Sequence, residues 1–155
     1  MFLIIGSVVV VACVLGGYLL NGGHLVVLFQ PHTYTRTAYL FEEWKRGFKG
    51  IDALYIAETY AARETPDQGM SAEQLADAIA SPKPVYVGTL DEAAERLASD
   101  LRPGDVFVTV GAGDVEKVGP QLVERLRGAR GVGRQHAGSC QRRRPGAPAE
   151  RHGRA

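Results

Sequence analysis

The feature that most constrains the fold of this chain is an alternation of short apolar runs with amphipathic stretches between residues 23 and 127. Each apolar run is separated from the next by a stretch long enough for a helix, and this order is typical of βαβ units. Since βαβ units pair their strands in parallel, we expect an α/β domain with a mostly parallel sheet. Right-handed crossovers would place helices on both faces of this sheet. The runs read as buried strands are Leu25–Gln30, Ala53–Ala57, Val85–Val87 and Val106–Val110.

The predicted helices are marked by apolar spacing and by capping residues. Thr35–Phe48 has apolar side chains at helical spacing, and Gly50 closes this helix. Ser71–Ala80 and Thr89–Asp100 each begin with a Ser/Thr-x-x-Gln/Glu sequence, which is the signature of a capping box. A last helix is expected from about Val118 to Arg127.

The segment before this core is apolar. Phe2–Leu20 has nineteen residues without a charge, close to the roughly 20 residues that span a bilayer as a helix. Residues 1–22 are therefore a candidate transmembrane helix, and the basic residues from Arg36 onward predict a cytoplasmic C-terminal side. A buried strand pair turning at Gly16-Gly17 and a cleaved signal peptide are the alternatives.

The segment after the core differs in charge and composition. From Arg127 to Ala155 there are eight arginines and one glutamate, a formal charge of +7, whereas the other residues carry −6. Residues 128–155 are rich in Gly, Pro and Arg and are predicted to be disordered. Arg142–Arg144 suggests a nucleic-acid arm, but no aromatic residue there could stack on bases, which argues against it. Translation of a GC-rich gene out of frame is the other explanation.

Three loops should meet beyond the carboxyl ends of the strands, where open α/β sheets bind ligands. In the first loop, the imidazole of His32 and the guanidinium of Arg36 flank a helix N-terminus, a favourable place for an anion. The alternative is that Thr35 only caps the helix and His32 only packs. The three loops are Pro31–Thr37, Glu58–Glu64 and Gly111–Asp114.

The motifs in these loops are more specific together than singly. FQPHTYTRT at Phe29–Thr37, ETYAARETPDQGMS at Glu58–Ser71 and LRPGDVFVTVGAGDVEKVGP at Leu101–Pro120 resemble, in order and spacing, the C-terminal domain of UDP-N-acetylmuramate–L-alanine ligases. These enzymes belong to the Mur ligase family of peptidoglycan synthesis. The resemblance covers residues 23–127 and implies a partial Rossmann-like domain in the cytoplasm.

The resemblance also implies a chemistry and a site. Mur ligases use ATP and Mg to form an acyl phosphate on UDP-N-acetylmuramate, which the amine of L-alanine then attacks. This domain would hold L-alanine, and Arg36 suits its carboxylate. By resemblance, the residues on the alanine side are His32, Arg36, Tyr60 and Arg63, and those lining the cleft are Gly111, Gly113 and Asp114.

Other parts of the ligase pattern are not found in this sequence. It contains no G-x-x-G-K-[ST] phosphate loop, nor the Asp-Tyr-Gly-His-His-Pro stretch that begins the family's C-terminal domain. We therefore expect a fragment that binds no ATP or Mg, binds alanine weakly or not at all by itself, and is inactive alone. Its status as an enzyme stays open. Cys13 and Cys140 lack a CxxC partner, so no metal site is predicted.

The N-terminus resembles a different family. Met1–Pro31, with Gly16-Gly17-Tyr18-Leu19 and Asn21-Gly22-Gly23, is similar to the first membrane helix of the flagellar motor stator protein, motility protein A. The alternative function is therefore a membrane-anchored stator-like fragment or fusion, with a non-catalytic cytoplasmic domain. Both resemblances include a Gln-Pro pair, which places the junction of a chimeric chain within Gly22–Pro31.

Overall fold

The computed structural model describes residues 22–111 and 113–136, with the backbone alone from 129 to 136. The apolar run Phe2–Leu20 and the tail from residue 137 onward lie outside the described residues. No helix in the described part of the chain is long and apolar enough to cross a membrane.

Four parallel strands form one sheet in the order β3-β2-β1-β4, so the first strand is central. The predicted α/β class with a parallel sheet is confirmed, and the predicted strand ends agree to within one residue. The strands are β1 (Leu25–Gln30), β2 (Ala53–Ala57), β3 (Val85–Gly88) and β4 (Val106–Gly111).

The stretch Thr35–Phe48, predicted as one helix, forms two: α1 (Tyr34–Tyr39) and α2 (Phe41–Gly47). Leu40 separates them, with φ −98° and ψ 20°, in the bridge region rather than the α-helical one. Its N–H still donates to the carbonyl oxygen of Arg36 (3.0 Å). The chain therefore bends without losing its apolar spacing, which is why spacing alone predicted a single helix.

The next two helices begin where the capping boxes predicted. In α3 (Ala72–Ala78) the hydroxyl of Ser71 accepts from the N–H of Gln74, and the Gln74 side chain accepts from the N–H of Ser71. Thr89 and Glu92 make the same reciprocal pair at the start of α4 (Leu90–Asp100). Each box satisfies two N–H groups that a helix N-terminus otherwise leaves without a partner.

The last helix is longer than predicted. A 3-10 turn at Asp114–Lys117 leads into α5 (Val118–His136), so the helix continues past Arg127 into the tail predicted to be disordered. No proline occurs between Pro120 and Pro145 to stop this helix, and it continues although Gly128, Gly131 and Gly133 disfavour helical structure.

The core lies on both faces of the sheet because alternate residues of a strand point to opposite sides. In β1, Val26 and Leu28 pack with α4 and α5. Val27 and Phe29 pack with α2 and α3 on the other face. Helices on both faces therefore leave the two ends of the sheet as the places where loops can form a site.

Candidate functional site

The loops after β1 and β2 are joined at the carboxyl end of the sheet by an extension of the parallel pairing. His32 and Tyr60 form an isolated parallel bridge. The N–H of Thr33 donates to the carbonyl oxygen of Tyr60, and the N–H of Tyr60 donates to that of Pro31, both at 2.9 Å. The predicted meeting of these two loops is therefore present in the backbone itself.

The loop after β4 reaches the same place through a glycine. Gly113 has φ +95°, and a Cβ built on it would lie 2.7 Å from Cδ2 of Tyr60. A side chain at this position would collide with the ring, so only glycine allows the loop to lie against Tyr60. The imidazole of His32 also stacks with the ring of Tyr60, with 5.6 Å between the two centroids. The three predicted loops thus meet at Tyr60.

The N-terminus of α1 does not offer its N–H groups to a ligand. Thr33, not Thr35, is the N-cap, and its hydroxyl accepts from the N–H of Arg36 (3.4 Å). The N–H of Thr35 donates to Oε2 of Glu64 (2.9 Å), and its hydroxyl donates to Oε1 (2.5 Å). These hydrogen bonds hold the pKa of Glu64 below its ordinary value, and the bond from the Thr35 hydroxyl contributes most. The anion expected at this helix terminus is thus a carboxylate of the chain itself.

Thr33 adopts an unusual backbone conformation, with φ 60° and ψ 149°. Positive φ is strained for a β-branched residue. Two hydrogen bonds stabilise this conformation. The Thr33 N–H donates to the carbonyl oxygen of Tyr60, and the hydroxyl of buried Thr37 donates to the carbonyl oxygen of Thr33 (2.7 Å). These hydrogen bonds fix the chain between His32 and the first turn of α1.

One open pocket, the Arg36 pocket, lies beside this segment and has a volume of about 790 Å³. Arg36 is exposed there, and among the described residues its guanidinium forms no ion pair. A free guanidinium can bind a carboxylate through two parallel hydrogen bonds. The pocket is lined by His32, Thr33, Thr35, Arg36, Tyr39 and Leu40.

A second pocket, the acidic cleft, lies on the other side of Tyr60 between the start of α4 and the turn before α5. Its volume is about 330 Å³. Asp114 and Lys117 form an ion pair within one turn at its rim (2.6 Å), and the hydrogen bond to Asp114 raises the pKa of Lys117. The polar residues that line it are Gln30, Glu58, Tyr60, Thr89, Asp91, Asp114, Lys117 and Gln121.

The predicted site residues are thus divided between different places. His32 and Arg36 line the Arg36 pocket, and Asp114 lines the acidic cleft. Gly111 pairs with Gln30 at the end of the sheet. Arg63 is exposed and lines neither pocket.

Several polar residues of this region were not singled out from the sequence. Glu64 became important only through its contact with Thr35, which lies 29 positions earlier. Gln30 and Glu58 are the first polar residues after the apolar runs of β1 and β2. That position at a strand end is the signal that could have identified them.

The described residues do not suit ATP or Mg. They contain no group of three His, Cys, Asp or Glu side chains that could hold a metal ion. The sequence also lacks a phosphate loop. No step of a reaction can therefore be assigned to nucleotide or metal on this part of the chain.

Comparison with curated proteins identifies relatives that are UDP-N-acetylmuramate–L-alanine ligases. The protein of Thermobifida fusca is 41% identical over 106 residues, which are 68% of this chain and 22% of the relative. That of Mycolicibacterium paratuberculosis is 41% identical over 107 residues, 69% of this chain and 21% of the relative. That of Solibacter usitatus is 43% identical over 104 residues, which are 65% of this chain and 22% of the relative.

These relatives confirm the resemblance inferred from the loop motifs. The chain spans about a fifth of the length of the curated relatives it matches. Its matching part therefore corresponds to a fragment of such a ligase.

The N-terminus matches a different family, the one described as motility protein A N-terminal, over residues 4–36. This supports the predicted second resemblance. The described part of the match, residues 22–36, contains β1 and the first residues of α1. In this structure that part belongs to the α/β domain.

Proposed function

We propose that residues 23–127 are the amino-acid-side domain of a UDP-N-acetylmuramate–L-alanine ligase of peptidoglycan synthesis, acting in the cytoplasm. The observation that carries the proposal is 41% identity over 106 residues to such a ligase. The three loops that bear the family's motifs also converge on Tyr60, which supports a shared site.

The proposed role of the Arg36 pocket is to bind the carboxylate of L-alanine. Arg36 is exposed there without an ion pair among the described residues, and it can supply two parallel N–H donors. His32 lies beside it, held by the ring of Tyr60. Arg63, in the turn after Tyr60, would contact the amino acid from outside the pocket.

Holding the carboxylate would orient the amine of L-alanine for reaction. The amine nitrogen attacks the activated carboxyl carbon of UDP-N-acetylmuramate, so that a C–N bond forms as the C–O bond to phosphate breaks. Orientation of this kind lowers the barrier by replacing an encounter in solution with a preformed geometry. In this proposal the activated carboxyl is formed by other parts of the ligase, because the described residues contain no group suited to a metal ion and the sequence has no phosphate loop. The chain by itself is therefore expected to turn over no ATP.

A domain exchange tests this proposal. In the Thermobifida fusca ligase, the 106 matching residues are replaced by those of this chain, and alanine-dependent ligation is measured. We expect ligation to be retained and R36A to raise KM for L-alanine about tenfold or more, since a charge-assisted pair is lost. R46A is the matched control, because Arg46 is exposed on α2 and does not line the pocket. A folded chimera without ligation, or equal KM values for the two variants, would contradict the proposal.

The match to the motility protein A N-terminal family favours a second role, for the N-terminal segment. We propose that Phe2–Leu20 attaches the α/β domain to a membrane, as the absence of charge over these residues suggests. Flotation of the full chain with lipid vesicles tests this, with a chain beginning at Gly22 as the control. If both chains stay with the aqueous fraction, membrane attachment is excluded.

A further inference from the structure

We infer that the acidic cleft binds a small organic ammonium ion, which donates a hydrogen bond to Gln30 and neutralises the carboxylates around it. The inference concerns this cleft and not the Arg36 pocket. It does not depend on the proposed ligase function.

Gln30 is the first reason. It ends β1, is only 4% exposed and lines the cleft. Its Nε2 donates to the carbonyl oxygen of Glu58 (3.4 Å), whereas its Oε1 is buried and accepts no hydrogen bond from the described part of the protein. Rotating the amide would place Oε1 against the Glu58 carbonyl oxygen, two acceptors facing each other. Gln30 therefore keeps a buried acceptor without a donor from the described residues, and an N–H group of a ligand could supply that donor.

The charges around the cleft are the second reason. Three carboxylates line it, from Glu58, Asp91 and Asp114, against one cation, Lys117. Lys117 is paired with Asp114, whereas Glu58 and Asp91 form no ion pair with the described residues. The excess of negative charge favours a cation and opposes a ligand that brings its own carboxylate.

The arrangement of the acceptors indicates the kind of cation. The described residues contain no group of side chains suited to a metal ion. The acceptors belong to different elements: Gln30 ends β1, Glu58 follows β2, and Asp91 lies in the first turn of α4. An ammonium group can direct its N–H donors to acceptors placed separately, whereas a guanidinium requires them side by side. A volume of about 330 Å³ is at the lower end for ligand pockets, so the ligand is small.

A titration of the full 155-residue chain tests the inference. Ethylammonium chloride is added, and the side-chain amide resonance of Gln30 is followed by NMR. We expect a saturable shift, and a response at least about tenfold weaker to tetramethylammonium chloride at the same ionic strength, since that ion has the charge but no N–H donor. Equal responses to the two salts, or no saturable shift with ethylammonium, would overturn the inference.

Two variants locate the binding. Q30M removes the acceptor at similar length, and E58Q removes one charge at the rim; each is expected to weaken ethylammonium binding about fivefold or more. E43Q is the matched control for E58Q, because Glu43 is exposed on α2 and does not line the cleft, and its affinity should stay within about twofold of the wild type. If Q30M does not fold, E58Q decides: unchanged affinity in E58Q contradicts the inference.

Discussion

The imidazole of His32 lies nearly parallel to the ring of Tyr60, with 16° between the planes and 5.6 Å between the centroids. The backbones of the same two residues form a parallel bridge beyond the end of the sheet. Side chains and backbones therefore both join the loop after β1 to the loop after β2. Tyr60 consequently positions His32, although His32 follows β1 and Tyr60 follows β2.

Removing the Tyr60 ring should weaken the domain and release His32. We expect Y60A to lower the free energy of unfolding by about 0.5–1.5 kcal/mol, the typical value of an aromatic pair, as measured by urea unfolding. Y60F keeps the ring and should differ little from the wild type. If Y60A and Y60F unfold at the same urea concentration, the stacked pair does not contribute to stability.

Gly113 should be the least replaceable glycine near the site. G113A places a Cβ against the Tyr60 ring at a φ of +95°, and we expect a loss of about 1–3 kcal/mol in the free energy of unfolding. The matched control is G128A in α5, where the glycine is exposed and a Cβ would meet nothing within 4 Å. Because alanine favours helices, G128A should gain about 0.5–1 kcal/mol. Equal melting temperatures of the two variants would contradict the tight approach at Gly113.

Glu64 should make the site loops sensitive to acid. Hydrogen bonds from Thr35 lower the pKa of Glu64 from 4.5, so its contribution to stability is present above that pH and is lost as the pH falls through the folded-state pKa. We expect E64Q to lower the free energy of unfolding at pH 7, and we expect this difference to shrink as the pH falls below 4.5. E43Q is the control, because Glu43 is exposed on α2. If the difference in unfolding free energy between E64Q and the wild type stays constant as the pH falls, the hydrogen bonds do not depend on ionisation of Glu64.

Tyr55 should make the other end of the sheet sensitive to alkali. Burial and the hydrogen bond to Asp100 (2.8 Å) raise the pKa of Tyr55 to about 12 from 10.0. The stability linked to this group is therefore complete below pH 10 and is lost between pH 10 and 12. We expect a loss of about 1–2 kcal/mol over this range, measured by urea unfolding at pH 9 and 11.5.

Two variants separate Tyr55 from general alkaline unfolding. Y55F should remove this part of the pH dependence, because phenylalanine has no ionisable hydroxyl. Y39F is the control, since Tyr39 is 85% exposed and should leave the dependence unchanged. Parallel pH profiles for the wild type and Y55F would refute the assignment to Tyr55.

The sequence predicted the features that depend on neighbouring residues. The strand ends and the capping boxes at Ser71 and Thr89 depend on residues within one turn or one strand. The meeting of the three loops also followed, because parallel strands place their carboxyl ends at one edge.

The features that were missed depend on contacts between distant segments. The carboxylate of Glu64 occupies the helix N-terminus predicted to attract a ligand, and nothing local at Thr35 indicates its presence. Leu40 breaks the helix while the apolar spacing continues. The unpaired acceptor of Gln30 can be recognised only when the position of Glu58 is known.

The unequal edges of the sheet have a consequence for the behaviour of the chain in concentrated solution. Edge strand β3 has four residues and follows Pro82 and Pro84, which have no N–H to offer a neighbour. Edge strand β4 reads Val-Phe-Val-Thr-Val-Gly, and among the described residues it pairs only with β1. A long apolar edge of this kind is a template for strand addition between molecules. Aggregation should therefore begin at β4, and a single lysine in place of Val110, which is 41% exposed, is a change suited to suppress it.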